Sequence, residues 1–140
     1  MKVVIAGGSG FMGRYLESRF LENGHSVSIL TRNPKRSNDV YWDGETIGEW
    51  TKTINNTDVL INLAGKSVDC RYTEKNKSTI FSSRLLSTAI LGEAIKQVDI
   101  PPKLWINSST ATIYEHSLHH PNDEQNEAHY KKEHHHYDLT

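Results

Sequence analysis

Short runs of consecutive apolar residues recur along the chain, and longer segments with apolar positions at helical spacing separate them. Residues 2–6 (KVVIA) are β-branched and apolar without alternation, the pattern of a strand covered on both faces. Phe11–Asn23 then carries Phe11, Met12, Tyr15, Leu16, Phe20 and Leu21 at helical spacing, and Asn23-Gly24 closes it with a left-handed cap at Gly24. Ser26–Thr31 predicts a second strand ended by Asn33-Pro34, and Asp39–Trp42 a short third. Asp58–Leu63 (DVLINL) is a fourth, stopped at Ala64-Gly65. Thr73, with Glu74 behind it, reads as the N-cap of a long helix running to Lys96. Its apolar stripe is wider than one sheet contact needs. Pro101-Pro102 separates that helix from a fifth strand, Lys103–Asn107.

Strands alternating with helices predict an α/β fold, a Rossmann-like doubly wound parallel sheet of about five strands in the order 3-2-1-4-5. The length of 140 residues suits a single domain. Residues 1–115 are assigned to it. Residues 116–140 read as a polar, His-rich tail of loop or disordered character, because residues 115–140 hold seven of the eight histidines and little apolar periodicity.

Charge narrows the partners. With 16 basic and 17 acidic residues the net charge is −1, which gives no ground for nucleic acid or an anionic membrane surface as the partner. A small molecule is the expected ligand. No run approaches the roughly 20 apolar residues that span a bilayer, and the start lacks a long signal-peptide core. One cysteine, Cys70, excludes an internal disulfide. The expected location is therefore the cytoplasm.

The candidate chemistry sits between the first strand and the first helix, in VVIAGGSGFMG (3–13). Gly7, Gly10 and Gly13 are three apart. A dinucleotide loop needs the first for a tight turn, the second so that backbone can approach a pyrophosphate, and the third for close packing of helix on strand. N–H groups at the helix start then face the phosphates. At the end of the second strand, after Thr31, an NAD-selective fold would place an acidic residue on the ribose hydroxyls. This chain has Arg32, whose guanidinium suits a 2′-phosphate, and Ser9 adds a hydroxyl in the loop. NADP(H) is the expected cofactor and NAD(H) the second choice.

The loop AGGSGFMG, then NLAG (62–65) and SSTATIY (108–114), resemble the extended short-chain dehydrogenase/reductase superfamily of NAD(P)-dependent epimerases and dehydratases. TRNP (31–34), INLAGKSV (61–68), YTEKNK (72–77), SSRLLST (82–88) and PPKLWINSS (101–109) resemble its atypical "epimerase family" branch. The resemblance covers residues 1 to about 126. It implies that Gly7, Gly10, Phe11 and Met12 form the pyrophosphate loop, and that Leu63, Ala64 and Gly65 line the adenine and ribose side of the cofactor. It implies further that Arg84 sits on a helix position facing the active site, and that Ser108 belongs to the cofactor site. Thr110 would be the catalytic hydroxyl that hydrogen-bonds the substrate's reacting oxygen. The implied reaction is hydride transfer at a sugar-nucleotide or other carbonyl or alcohol carbon. Related enzymes pair through the long helix, so a homodimer or larger assembly is expected.

Two departures qualify this. The tyrosine and lysine spaced YxxxK, which supply acid–base chemistry in standard members, have no counterpart: Tyr130 is followed at that spacing by His134, and Tyr137 lies three residues from the end. Family members are also roughly twice as long, with a further substrate-binding lobe. The expectation is an N-terminal half of such a protein, catalytically incomplete, its tail from EAHYKKEHHHYDLT onward matching nothing in the family. The alternatives are a dinucleotide-binding module or sensor without turnover, and a folded remnant with no tight ligand. His116, His119 and His120, and His134–His136, are potential metal ligands, but their spacing matches no closed site. No metal is expected.

Overall fold

The computed structural model describes residues 1–108. Its elements run β1 (Lys2–Ala6), α1 (Phe11–Glu22), β2 (Ser26–Thr31), β3 (Asp39–Tyr41), α2 (Thr51–Ile54), β4 (Val59–Asn62), α3 (Glu74–Gln97) and β5 (Leu104–Asn107). The five strands form one parallel sheet in the order β3-β2-β1-β4-β5, as the sequence predicts.

The unbroken apolar runs have a direct consequence in β1. Its side chains alternate between two cores because the sheet is covered on both faces. Val4 and Ala6 join Leu30, Leu60, Trp42, Trp50, Ile54 and the α3 residues Leu91 and Ala94. Val3 and Ile5 join Val27, Ile29 and Ile61, with Leu16 and Phe20 of α1 packed against them. Helices therefore lie on opposite faces of the sheet, α1 on one and α2 with α3 on the other. This is the doubly wound arrangement, and it brings the ends of β1, β2 and β4 together beside the start of α1.

Helix α1 departs from its predicted stripe. Phe11 is 93% exposed, and Met12, Tyr15 and Leu21 are exposed too; the buried positions are Gly13 and Glu17. The physical reason is Gly13: a Cβ there would lie 2.3 Å from the Gly8 carbonyl oxygen, so backbone packs on backbone and sets the rotation of the helix. The helix ends as predicted. Gly24 has φ +73°, its N–H donates to Leu21 O (2.9 Å), and the His25 N–H donates to Phe20 O (3.0 Å), a Schellman closure. The short helix α2 has no counterpart in the sequence reading.

Thr73 caps α3, its side chain accepting from Asn76 N at 3.2 Å. The wide apolar stripe of this helix is only partly used. Ser87, Leu91 and Ala94 are buried, whereas Phe81, Leu85 and Leu86 stay exposed. All four residues of β5 are exposed, and among the described residues it has a strand partner on one side only.

Candidate functional site

The glycine loop is shaped by one close approach. Gly7 has φ +72°, and a Cβ there would lie 2.7 Å from the Ala64 Cα, so the turn after β1 and the turn after β4 touch through backbone. A side chain at Gly7 would meet both the strained dihedral and that contact. Gly7 N donates to Leu30 O at 2.9 Å, which ties the same turn to β2. At Gly10 the situation reverses: the dihedrals are extended, and a Cβ would meet nothing within 4 Å. Gly10 caps α1 without a side-chain oxygen, and the first turn holds no acidic residue. The N–H groups that begin a helix lack intrahelical acceptors, so this end is shaped to receive an anion.

These turns border a cleft of about 540 Å³. Gly7, Ser9 and Gly10 line it from the glycine loop, Thr31 and Arg32 from the end of β2, and Leu63, Ala64 and Gly65 from the end of β4. Eight of the residues singled out in the sequence thus share one cavity. Arg32 is exposed there, and its side chain has no hydrogen bond or ion pair among the described residues. Thr31 is buried, its Oγ1 accepting from Asn33 N at 3.3 Å.

The remaining sequence candidates stand elsewhere. Phe11 and Met12 begin α1 with exposed side chains that do not line the cleft, and Gly13 is the packing contact already described. Arg84 is not a lining residue either. Its Nη1 donates to Lys66 O (3.1 Å) and Ile80 O (2.9 Å), and it packs under Gly65. Ser83 Oγ accepts from Lys66 N at 2.9 Å, so two neighbours on α3 hold both backbone groups of Lys66. Ser108 is exposed, with its N–H donating to Asn62 O at 2.9 Å. Thr110, Tyr130, Tyr137, the seven late histidines and the 115/116 domain boundary lie outside the described residues. Cys70 is a half-buried free thiol, and no metal-binding cluster of histidine, cysteine and carboxylate side chains occurs among the described residues.

Several lining residues were not read from the sequence. The wall after β3 is Trp42, Asp43, Gly44 and Glu45. It is rigid: Asp43 accepts from the N–H groups of Glu45 and Thr46 (2.9 Å each) and from Thr46 Oγ1, and Trp42 packs edge-on against Trp50 at 5.8 Å. The Thr46 hydroxyl, then those backbone N–H groups, hold the Asp43 carboxyl below its ordinary pKa. The opposite wall is polar, with Lys66, Ser67, Thr79 and Ser83. Lys66 Nζ donates to Asn76 Oδ1 at 2.6 Å. Asn62, buried at the end of β4, reaches Asn107 Oδ1 (2.7 Å) and Thr88 Oγ1 (3.2 Å) and accepts from Ala64 N (3.0 Å), fixing the turn that lines the cleft. The D-G-x-T signal of the turn at Asp43 was present in the sequence, but its proximity to the glycine loop is a product of the sheet order.

The NAD dependent epimerase/dehydratase family model matches residues 3–140. The chain belongs to that family. Curated relatives bear the same family name: an epimerase family protein of Bacillus subtilis, YfhF, is 37% identical over 123 residues, covering 84% of this chain and 40% of the relative. One from Staphylococcus haemolyticus is 31% identical over 131 residues, covering 90% and 43%. Among solved structures, the human epimerase family protein SDR39U1 with NADPH superposes with a TM-score of 0.76 at 30% identity, over 89% of this chain and 42% of that one. A UDP-N-acetylglucosamine 4-epimerase from Bacillus cereus shares the fold, with a TM-score of 0.67 at 22% identity. The chain spans about two fifths of the length of these relatives. The strand order is that of the family's Rossmann-like NAD(P)-binding fold. No helix among the described residues is long and apolar enough to cross a membrane.

Proposed function

We propose that this chain is the NADP(H)-binding part of an epimerase-family protein whose reaction is hydride transfer at a carbonyl or alcohol carbon, in a sugar nucleotide or another small molecule. The observation that carries the cofactor preference is Arg32, which lines the cleft beside the glycine loop with a guanidinium that has no partner among the described residues. A 2′-phosphate there would gain a charge-assisted, planar contact. NAD(H) is the weaker ligand in this reading. The human relative's structure holds NADPH, which agrees with it.

The residues fit such a ligand. The space in front of Gly10 is the kind of cradle a Cβ would fill, and the N-terminal N–H groups of α1 would meet the pyrophosphate through backbone, Phe11 and Met12 included. Ser9 offers a hydroxyl to the same phosphates. Leu63, Ala64 and Gly65 would carry the adenosine side, with Arg84 holding that turn from behind. When bound, the dinucleotide supplies the hydride donor or acceptor. Thr110 is proposed to hold the reacting oxygen of the substrate, and Ser108 to belong to the cofactor site.

A second reading is a dinucleotide-binding module without turnover, favoured by the lack of a YxxxK pair in this sequence. The cytoplasm suits either reading. One titration tests the cofactor preference. NADPH should bind at least about tenfold tighter than NADH, since a charge-assisted contact contributes roughly 1.5–3 kcal/mol, and Arg32→Ala should remove most of the difference. Equal affinities in the intact chain would overturn the preference. Turnover of any alcohol or carbonyl substrate would exclude the binding-module reading.

A further inference from the structure

The connection from β2 to β3 carries three cations within TRNPKR (31–36), namely Arg32, Lys35 and Arg36. By charge alone, any of the three could meet a phosphate. The structure separates them. Arg36 reaches back to α1, where its Nη1 lies 2.8 Å from each carboxylate oxygen of Glu17. Its Nη2 donates to Asp39 Oδ1 at 3.0 Å. Asp39 Oδ2 also accepts the backbone N–H groups of Lys35 (2.9 Å) and Arg36 (3.1 Å). Glu17 Oε1 takes a further bond from Asn38 Nδ2 at 2.7 Å. Arg32 and Lys35, by contrast, have no side-chain partner among the described residues.

Glu17 is only 4% exposed and sits on the packing face of α1, one turn beyond Gly13. A carboxylate in that position carries a desolvation cost that an apolar residue packed there would not. The bonds it makes all go to one place, the connection that follows Arg32. The same helix presents its N-terminus to the cleft. Glu17 therefore links the anion-binding end of α1 to the segment carrying the Arg32 guanidinium.

We infer that Glu17, acting through Arg36, is a positioning residue for recognition of the 2′-phosphate: the clamp withdraws Arg36 from the ligand and holds the 32–38 connection so that Arg32 stays at the cleft. The inference rests on the NADP(H) reading above and adds a residue to it that touches no ligand. Burial opposes the charge on Asp39, but the hydrogen bonds from Lys35 and Arg36 outweigh it and keep the carboxyl below its ordinary pKa, so Asp39 is charged at neutral pH and holds Arg36 from its other side.

The test compares NADPH and NADH affinities in the intact chain, in Glu17→Gln, in Arg36→Gln and in Arg32→Ala, with melting temperatures alongside. Glu17→Gln keeps the side-chain shape and removes the charge. Arg36→Gln breaks the clamp from its solvent side, where the side chain is 34% exposed, and serves if the buried variant does not fold. Both clamp variants should weaken NADPH binding by about fivefold or more, the scale of a misplaced charge-assisted contact, with NADH binding unchanged. Arg36→Lys should restore part of the loss. An equal loss for both cofactors would make the clamp a plain structural staple and overturn the inference. Unchanged or tighter NADPH binding in Glu17→Gln would also overturn it, because a released Arg36 would then be idle or a phosphate ligand itself. If the intact chain prefers NADPH and Arg32→Ala abolishes the preference while the clamp variants keep it, only the clamp is wrong. If the intact chain shows no preference, the NADP(H) reading falls and the clamp with it.

Discussion

Gly7 and Gly10 are the same residue type three positions apart, and the structure asks opposite things of them. Gly7 is required by a positive φ and by contact with Ala64 backbone, whereas Gly10 borders open space. Gly10→Val should therefore leave the melting temperature nearly unchanged while reducing dinucleotide affinity by about tenfold or more, because its side chain would occupy the phosphate position. Retained affinity would reduce the loop to a turn. Asp43 yields a pH prediction. Its folded pKa lies below the unfolded value, about 3.9, so the folded state binds fewer protons in that range. Its contribution to stability is complete above the unfolded pKa and disappears as pH falls through the folded one. Asp43→Asn should lower the melting temperature at pH 7, and the gap from the unmodified chain should close toward pH 3 in a thermal series. A gap independent of pH would show that the turn does not need the charge. At this scale the tight turn at Gly7 and the close packing at Gly13 were legible in the sequence. The clamp was not, because Glu17 and Arg36 are separated by β2 and meet only after α1 docks.

Elements were legible where local rules act and less so where packing decides. The two helix ends illustrate the first case: Gly24 takes the left-handed cap that Asn23-Gly24 announces, and Thr73 caps α3. Thr73→Ala should cost about 1 kcal/mol, read from chemical denaturation, since it leaves the Asn76 N–H without its acceptor. A change below a few tenths would mean that α3 is held by its sheet contacts alone. The apolar stripe of α1 illustrates the second case. Spacing marked Phe11, Met12, Tyr15 and Leu21 for burial, yet helix rotation is set by the Gly13–Gly8 backbone contact, which leaves them in solvent. A hydrophobic pattern reports which faces could be buried; a steric contact between backbones chooses among them. The four-residue α2 was invisible for a simpler reason: one turn carries too few positions to establish a period.

For the molecule as a whole, the open question is what meets its apolar surface. Leu104, Trp105 and Ile106 on β5 are exposed, as are Phe81, Leu85 and Leu86 on α3. Among the described residues β5 has a strand partner on one side only, and such an edge invites pairing; the exposed α3 residues add a second apolar surface, and together these favour self-association. We expect a second copy of this chain to cover them, so light scattering at micromolar concentration should give a dimer mass or larger. A monomer mass with slow amide exchange across residues 104–107 would show that the edge is shielded within one chain.

The consecutive apolar runs of β1 and β4 pointed to strands covered on both faces, and their alternation with helical segments pointed to a parallel sheet. The glycine spacing determined that the turn after β1 could take a positive φ at Gly7, which is a local property, whereas the Ala64 backbone contact that denies Gly7 a side chain came from the sheet. Tertiary structure alone decided which surfaces share the cleft. The Asp43 turn, Lys66 and the α3 residues Thr79 and Ser83 lie far from Gly10 in sequence, and the strand order β3-β2-β1-β4 brings their loops to one rim. Tertiary structure also divided the three cations of TRNPKR. Arg32 and Arg36 have the same chemistry in sequence, and they differ only because a buried carboxylate on α1 lies within reach of one and not the other.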